Sequence, residues 1–196
     1  DGSALLTASY DKTARIWSSD GKTLLRVLRG HKDKIGHATW SPDGSLIATA
    51  SDDGTARVWR VASQEKPIVL SGHEDYIEQV AFSPDGKRIA TASADGTARV
   101  WSLSGREAPI VLSGHEDGVT SVEFDPSGNR VLTASSDGTA RLWNLGGRSA
   151  AKVFKRPEGN IVFAHMSPNG KYIALGQESG EISICEAAGH KEFLAS

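Results

Sequence analysis

A hydroxyl, an imidazole and a carboxylate are the ingredients of nucleophile activation, and this chain carries them as Thr49, His31 and Asp53, with Trp59 close behind. The same set returns as His73, Thr91, Asp95 and Trp101, and again as His115, Thr133, Asp137 and Trp143. An enzyme needs its site once, so a set repeated in step along the chain reads as a building unit, and no catalytic residue is expected. Metal binding fares no better. Of the 6 histidines, the repeated ones fall in separate units, and His37, His165 and His190 have no spacing that sets a second ligand beside them. Neither metal nor cofactor is expected. Arg15, Arg57, Arg99 and Arg141 each stand two residues before a Trp, an arrangement that can hold phosphate. Their repetition favours a structural place instead, with alkyl stems packed between units and guanidinium groups paired to acidic residues of neighbouring turns. With no clustered basic face and no aromatic stacking platform, nucleic acid is not an expected partner.

What holds these residues in step is a repeat. Trp17, Trp59, Trp101 and Trp143 are spaced by 42 residues, as are Asp11, Asp53, Asp95 and Asp137, and Thr7, Thr49, Thr91 and Thr133. Gly30-His31, Gly72-His73 and Gly114-His115 add a further register, the His nine residues before Trp40, Phe82 and Phe124. Within a unit, short apolar runs alternate with turn residues: Ile77 to Phe82, then Ser83-Pro84-Asp85-Gly86, then Arg88 to Ala92, then Asp95-Gly96. These are strands joined by hairpins. The pairs Asp53-Gly54, Asp95-Gly96 and Asp137-Gly138 suit a two-residue turn with positive backbone angles. In the type unit the strands fall near Lys34 to Trp40, Ser45 to Ala50, Thr55 to Arg60 and Pro67 to Leu70, and no helix is needed anywhere.

The Gly-His pair, the Ser-Pro-Asp-Gly turn and the Asp-Gly-Thr-Ala-Arg-Val-Trp segment at this spacing resemble WD40 repeats, which form the four-stranded blades of a propeller. The Trp is followed by Ser18, Arg60, Ser102 or Asn144 rather than by the Asp that names the family. The resemblance implies that each set of His, Thr, Asp and Trp is a hydrogen-bonded chain inside one blade, clamping the loop before strand a to the turn between strands b and c. Pro67 to Asp75 and Pro109 to Asp117 are the same nine residues, which resembles recently duplicated propellers of large bacterial proteins.

The fold expected is therefore all-β, a propeller segment of five four-stranded blades whose first lacks its inner strand. Its units run over residues 1–29, 30–71, 72–113, 114–155 and a degenerate 156–196, giving 19 strands. In that last unit Pro157, Leu175, Ser179 and Cys185 replace His, Thr, Asp and Trp. Seven such blades need roughly 294 residues, so the chain reads as part of something longer, an impression that Asp1 in place of an initiator Met reinforces. Strand b of the first unit, Leu5 to Thr7, has no inner neighbour, which opens a route to homo-oligomers or to completion by another chain.

A net charge of -2 attracts neither nucleic acid nor anionic membrane at long range. The single Cys185 forms no intrachain disulfide, and no apolar run reaches membrane-spanning length, so a cytoplasmic location is expected. Binding would use what varies between units. In the family these positions ring one face, and here they are Tyr10, Lys34, Asp52, Tyr76, Glu78, Thr120, Ser136 and Asn160. A non-catalytic scaffold for a protein partner, or for other domains of its own parent chain, is the function this implies. A sensor or scaffold role in a bacterial signalling protein is its extension, with a self-assembling architectural module as the alternative.

Overall fold

Small and β-branched residues run between turn residues along the whole chain, and each such run is a strand. The computed structural model describes residues 2–147, 150–155, 159–189 and 192–195. Asp1, Pro157 and His190, named above, lie outside these described residues. The first sheet contains β1 (Ala4–Ala8), β2 (Thr13–Ser18) and β3 (Leu24–Arg29), in that order. The second contains β4 (Ile35–Trp40), β5 (Leu46–Ser51), β6 (Thr55–Arg60) and β7 (Ile68–Ser71). The third contains β8 (Ile77–Phe82), β9 (Arg88–Ser93), β10 (Ala98–Ser102) and β11 (Ile110–Leu112). The fourth contains β12 (Val119–Phe124), β13 (Arg130–Ser135), β14 (Thr139–Asn144) and β15 (Lys152–Lys155). The fifth contains β16 (Ile161–Met166), β17 (Tyr172–Gln177), β18 (Ile182–Glu186) and β19 (Glu192–Ala195). All pairings are antiparallel between sequence neighbours, and the first sheet alone has 3 strands.

The turns between the second and third strands of the complete sheets differ from the two-residue form. Asp52, Asp53 and Gly54 separate β5 from β6, and only the Gly takes a positive φ, 75°. Gly96 and Gly138 do the same at 79° and 75°. This is a three-residue loop closed by a left-handed glycine. The Asp is kept out of that conformation by its own hydrogen bonds: Thr55 donates its amide (3.0 Å) and its hydroxyl (2.6 Å) to one Asp53 oxygen. In the first sheet Lys12 stands at the glycine position and adopts φ 69°.

Each sheet buries one face against the next. Ala14, Ile16 and Leu28 of the first meet Ile35, Ile47 and Trp59 of the second. Ala48, Ala56, Val58 and Leu70 then meet Ile77, Val80, Ile89 and Trp101. Ala90, Val100 and Leu112 meet Val119, Val122 and Val131, and Leu132, Leu142 and Phe154 meet Ile161, Ala164 and Ile173. Cys185 sits buried in the last of these cores, as a small apolar group. Packing runs in order from the first sheet to the fifth, and among the described residues none of that extent returns from the fifth to the first. The inner strands are also stitched side by side. Gln79 accepts the amide of Val122 (2.8 Å), Ser121 that of Ala164 (3.1 Å), and Glu123 that of Met166 (3.0 Å).

Candidate functional site

The repeated polar set converges in three sheets with the same geometry. Trp59 Nε1 donates to Thr49 Oγ1 at 3.0 Å, Thr49 Oγ1 lies 2.8 Å from His31 Nε2, and His31 Nδ1 lies 2.9 Å from Asp53 Oδ2. The third and fourth sheets repeat it, with His73 2.7 Å from both Asp95 and Thr91, and His115 2.9 Å from Asp137 and 2.7 Å from Thr133. Indole N–H can only donate and an ionised carboxylate can only accept, so one assignment leaves no buried atom unpaired. The indole donates to the Thr oxygen, the Thr hydroxyl donates to a bare Nε2, and Nδ1–H donates to Asp.

The electrostatics agree with that assignment. Burial pushes the pKa of His31, His73 and His115 down, outweighing the pull of the neighbouring Asp, so the rings are neutral. Burial pushes the Asp53 carboxyl up, but hydrogen bonds from Thr55, from the Lys32 amide and from His31 prevail and lower it to about 2. Asp95 is likewise lowered to about 2.

Asp, His and a hydroxyl in line are also the layout of a nucleophilic triad. Thr49, Thr91 and Thr133 are fully buried and the three imidazoles have no exposed side-chain surface, so no substrate reaches them in this arrangement. They act as clamps. Ser51, Ser93 and Ser135, absent from the candidate set, belong to the same network: each accepts the following Asp amide and donates to the carbonyl of Asp33, Asp75 or Asp117. Thr55, Thr97 and Thr139 complete it. The 42-residue spacing marks all six as plainly as the others.

Two half-sets frame the complete ones. In the first sheet Trp17 donates to Thr7 at 3.0 Å, no His is present, and Arg15 pairs with Asp11 at 2.5 Å. In the fifth, Cys185 reaches the carbonyl of Ile173. The arginine rung departs from expectation. Among the described residues, of these four arginines Arg15 alone pairs with an acidic residue, and Arg99 and Arg141 lie over the rings of Trp101 and Trp143 at 6.0 Å. Gly30, Gly72 and Gly114 take φ of 149°, 146° and 145°, a backbone conformation that L side chains rarely adopt, and a Cβ there would also come within 2.6–2.7 Å of the guanidinium of Arg57, Arg99 or Arg141.

The variable positions gather at the sheet ends that carry the His loops. There the turn before each third strand is tied to the loop before each inner strand: Asp52 N–H to Lys34 O, Ala94 to Tyr76, Ser136 to Gly118 and Glu178 to Asn160, all within 2.9–3.1 Å. Gly36, Glu78, Thr120 and Val162 are the bulge residues of the inner strands, skipped by the pairing on either side. Tyr10 is 73% exposed, with the Lys34 ammonium 5.1 Å from its ring centroid. Tyr76 is exposed among acids: Glu78 foremost, then burial, Asp75, Asp52 and Asp117 raise its phenol pKa. Burial, then Asp52, raises that of Glu78. Asn160 bonds Glu178 at 3.2 Å. Thr120 donates to the carbonyl of Ile161, which makes it a stitch between sheets, and Ser136 is half-buried.

Among the described residues no group of three His, Cys, Asp or Glu is arranged to hold a metal ion, and no helix is long and apolar enough to cross a membrane. The family model described as "WD domain, G-beta repeat" matches residues 1–18, 22–60, 64–102 and 107–144, ending before the fifth sheet.

Proposed function

The chain belongs to the WD40 family, whose domains are in general non-catalytic protein-interaction scaffolds, and from that premise we propose that its loop-bearing rim is the docking face. One observation carries this reading: residues that do not repeat sit together on a frame of residues that do. The three complete clamps fix the loops of the second, third and fourth sheets, and the Glu178 amide ties that of Asn160, so Lys34, Asp52, Tyr76, Glu78 and Asn160 are presented on a rigid base, with Tyr10 beside Lys34, and lose little freedom when a partner arrives. Aromatic side chains are the usual energetic anchors of such surfaces. The negative field around Tyr76 favours a partner segment rich in Lys or Arg.

The partner is another protein or another domain of the parent chain, and the near-identical repeats support placing this segment in the sensor or scaffold portion of a bacterial regulatory protein of the cytoplasm. An array of Lys/Arg-rich and neutral peptides probed with the chain tests the docking face. Ligands of the native chain should bind the Tyr76→Ala and Glu78→Gln variants about tenfold or more weakly. Lys87→Ala, in the turn at the opposite end, should leave binding unchanged. Equal binding by all of these would remove the rim from the interface.

A further inference from the structure

At the sheet ends away from the His loops, the junctions between neighbouring sheets are filled in different ways. Where the third sheet meets the fourth, Arg88 lies over the Phe124 ring at 5.5 Å and donates to the carbonyl of Gly128 at 2.6 Å, so a guanidinium bridges the gap. Where the fourth meets the fifth, Arg130 holds that place in the repeat and pairs with Asp125 at 3.0 Å, beside Asn129, Asn144 and Asn169. Leu46 is the counterpart of both arginines where the second sheet meets the third. It offers no donor to the carbonyl of Gly86, the counterpart of Gly128. Between these two complete four-stranded sheets lies a cleft of about 450 Å³, with Leu46, Val58, Ile68 and Leu103 as its apolar lining. Ile68 is 43% exposed there.

The mouth of the cleft is basic, and this too does not repeat. Arg60, Lys66 and Lys87 line it, where one repeat later the chain has Ser102, Ala108 and Asn129. No carboxylate is among its lining residues. Glu65 lies 3.4 Å from Arg60, but both side chains are largely exposed and hold each other weakly. Asp85 is engaged within its own turn, by the Ser83 hydroxyl at 2.6 Å and the Lys87 amide at 3.1 Å.

We propose that this cleft is a docking site for an acidic polypeptide segment, which inserts one large apolar side chain over Leu46 and sets Asp or Glu residues on either side of it. The site lies at the opposite end from the rim around Tyr76 and has the opposite charge preference. Each part of the cleft specifies one part of its occupant. The apolar lining takes the inserted side chain, and the three cations take the carboxylates. The Gly86 carbonyl takes a main-chain N–H, in the place where Gly128 takes a guanidinium N–H. A fatty acid supplies the first two groups but no donor, which favours a peptide.

The probe is the synthetic peptide Asp-Glu-Leu-Glu-Asp, labelled at its N-terminus and titrated with the full chain by fluorescence anisotropy. Saturable binding is expected, weakened about tenfold when the central Leu of the peptide is replaced by Gly, and about tenfold by Lys66→Ala combined with Lys87→Ala in the chain. Lys32→Ala combined with Lys155→Ala, the same loss of charge at the other end, should leave it unchanged. The decisive variant is Leu46→Arg, which installs the residue found at positions 88 and 130. It fills the cleft while adding a positive charge, so it should weaken binding about tenfold, whereas diffuse attraction of an anion would tighten it. Equal or tighter binding by Leu46→Arg overturns the site, as does absence of saturable binding. Dodecanoate that binds where the peptide does not, or self-association that excludes the peptide, also overturns it, by assigning the cleft to a fatty acid or to a second copy. If Leu46→Arg does not melt cooperatively, the two lysine pairs, all four side chains being exposed, decide between the cleft and diffuse charge.

Discussion

One hydroxyl joins the indole to the imidazole in each complete set. Thr91 Oγ1 receives the indole of Trp101 at 3.0 Å and lies 2.7 Å from His73, with no solvent to replace either bond. Thr91→Val keeps the shape and orphans both partners, so it should lower unfolding free energy by about 2–4 kcal/mol in urea denaturation, whereas Thr91→Ser should lose about 1 kcal/mol. Equal losses would show that the methyl, not the hydroxyl, carries the effect. The buried imidazoles set the response to pH. His31, His73 and His115 have folded pKa values lowered from 6.5, so below pH 6.5 the unfolded chain binds protons that the folded chain resists. Their contribution is complete above pH 6.5 and lost as pH falls. Asp53 and Asp95, lowered from 3.8 to about 2, contribute fully above pH 3.8 and lose that contribution towards pH 2. Melting temperature should therefore decline in two stages on acidification, beginning below pH 6.5. A melting temperature that rises between pH 7 and 5 contradicts the neutral-imidazole assignment.

At the scale of strands and turns, much was legible because hydrophobic alternation and turn residues repeat together: β4 to β7 fall within one residue of the positions read from sequence. What escaped depends on a neighbour a whole repeat away, or on one carboxylate. Asp-Gly reads as a two-residue turn until the Asp53 oxygen is seen holding Thr55, which keeps the Asp right-handed and adds Asp52 to the loop. Alternation also passes over the bulges at Gly36, Glu78, Thr120 and Val162, since one extra residue changes only which face follows. The arginines were misread because Arg99 and Arg141 lie over the rings of Trp101 and Trp143, a contact that spacing alone does not distinguish from an ion pair. The fifth sheet holds a subtler case. Gly176 replaces the Ala found at 50, 92 and 134, and a Cβ there would lie 2.1 Å from the Phe163 ring. Phe163 in turn stands where the fourth sheet has Ser121. Gly176→Ala should thus destabilise by about 1–3 kcal/mol although Ala is the residue of the other units. Combined with Phe163→Ser, the substitution should be close to neutral relative to Phe163→Ser alone, and a thermal double-mutant cycle measures that coupling. Additive losses would mean that the two positions do not share the space.

At the scale of the whole molecule, four cores join the five sheets in order, and among the described residues no packing of that extent joins the fifth to the first. Leu5 faces outward at one end, and at the other Ile182 and Ile184 are 46% and 36% exposed, where their counterparts Ala140 and Leu142 are 0% and 7%. Among the described residues each end sheet has one such junction and each middle sheet two, so stability is nearly a sum along a line. Opening an end sheet breaks one core; opening the third breaks two. Hydrogen exchange should accordingly be slowest in β8, β9, β12 and β13 and faster in β1, β2, β17 and β18, even though all are regular antiparallel strands. Thr91→Val should then act out of proportion to its position, because weakening the middle sheet uncouples the sheets on either side. Its urea transition should broaden or split, with the first and second sheets exchanging independently of the fourth and fifth. Uniform protection across all five sheets, unchanged in pattern by Thr91→Val, would require a further contact that joins the two ends.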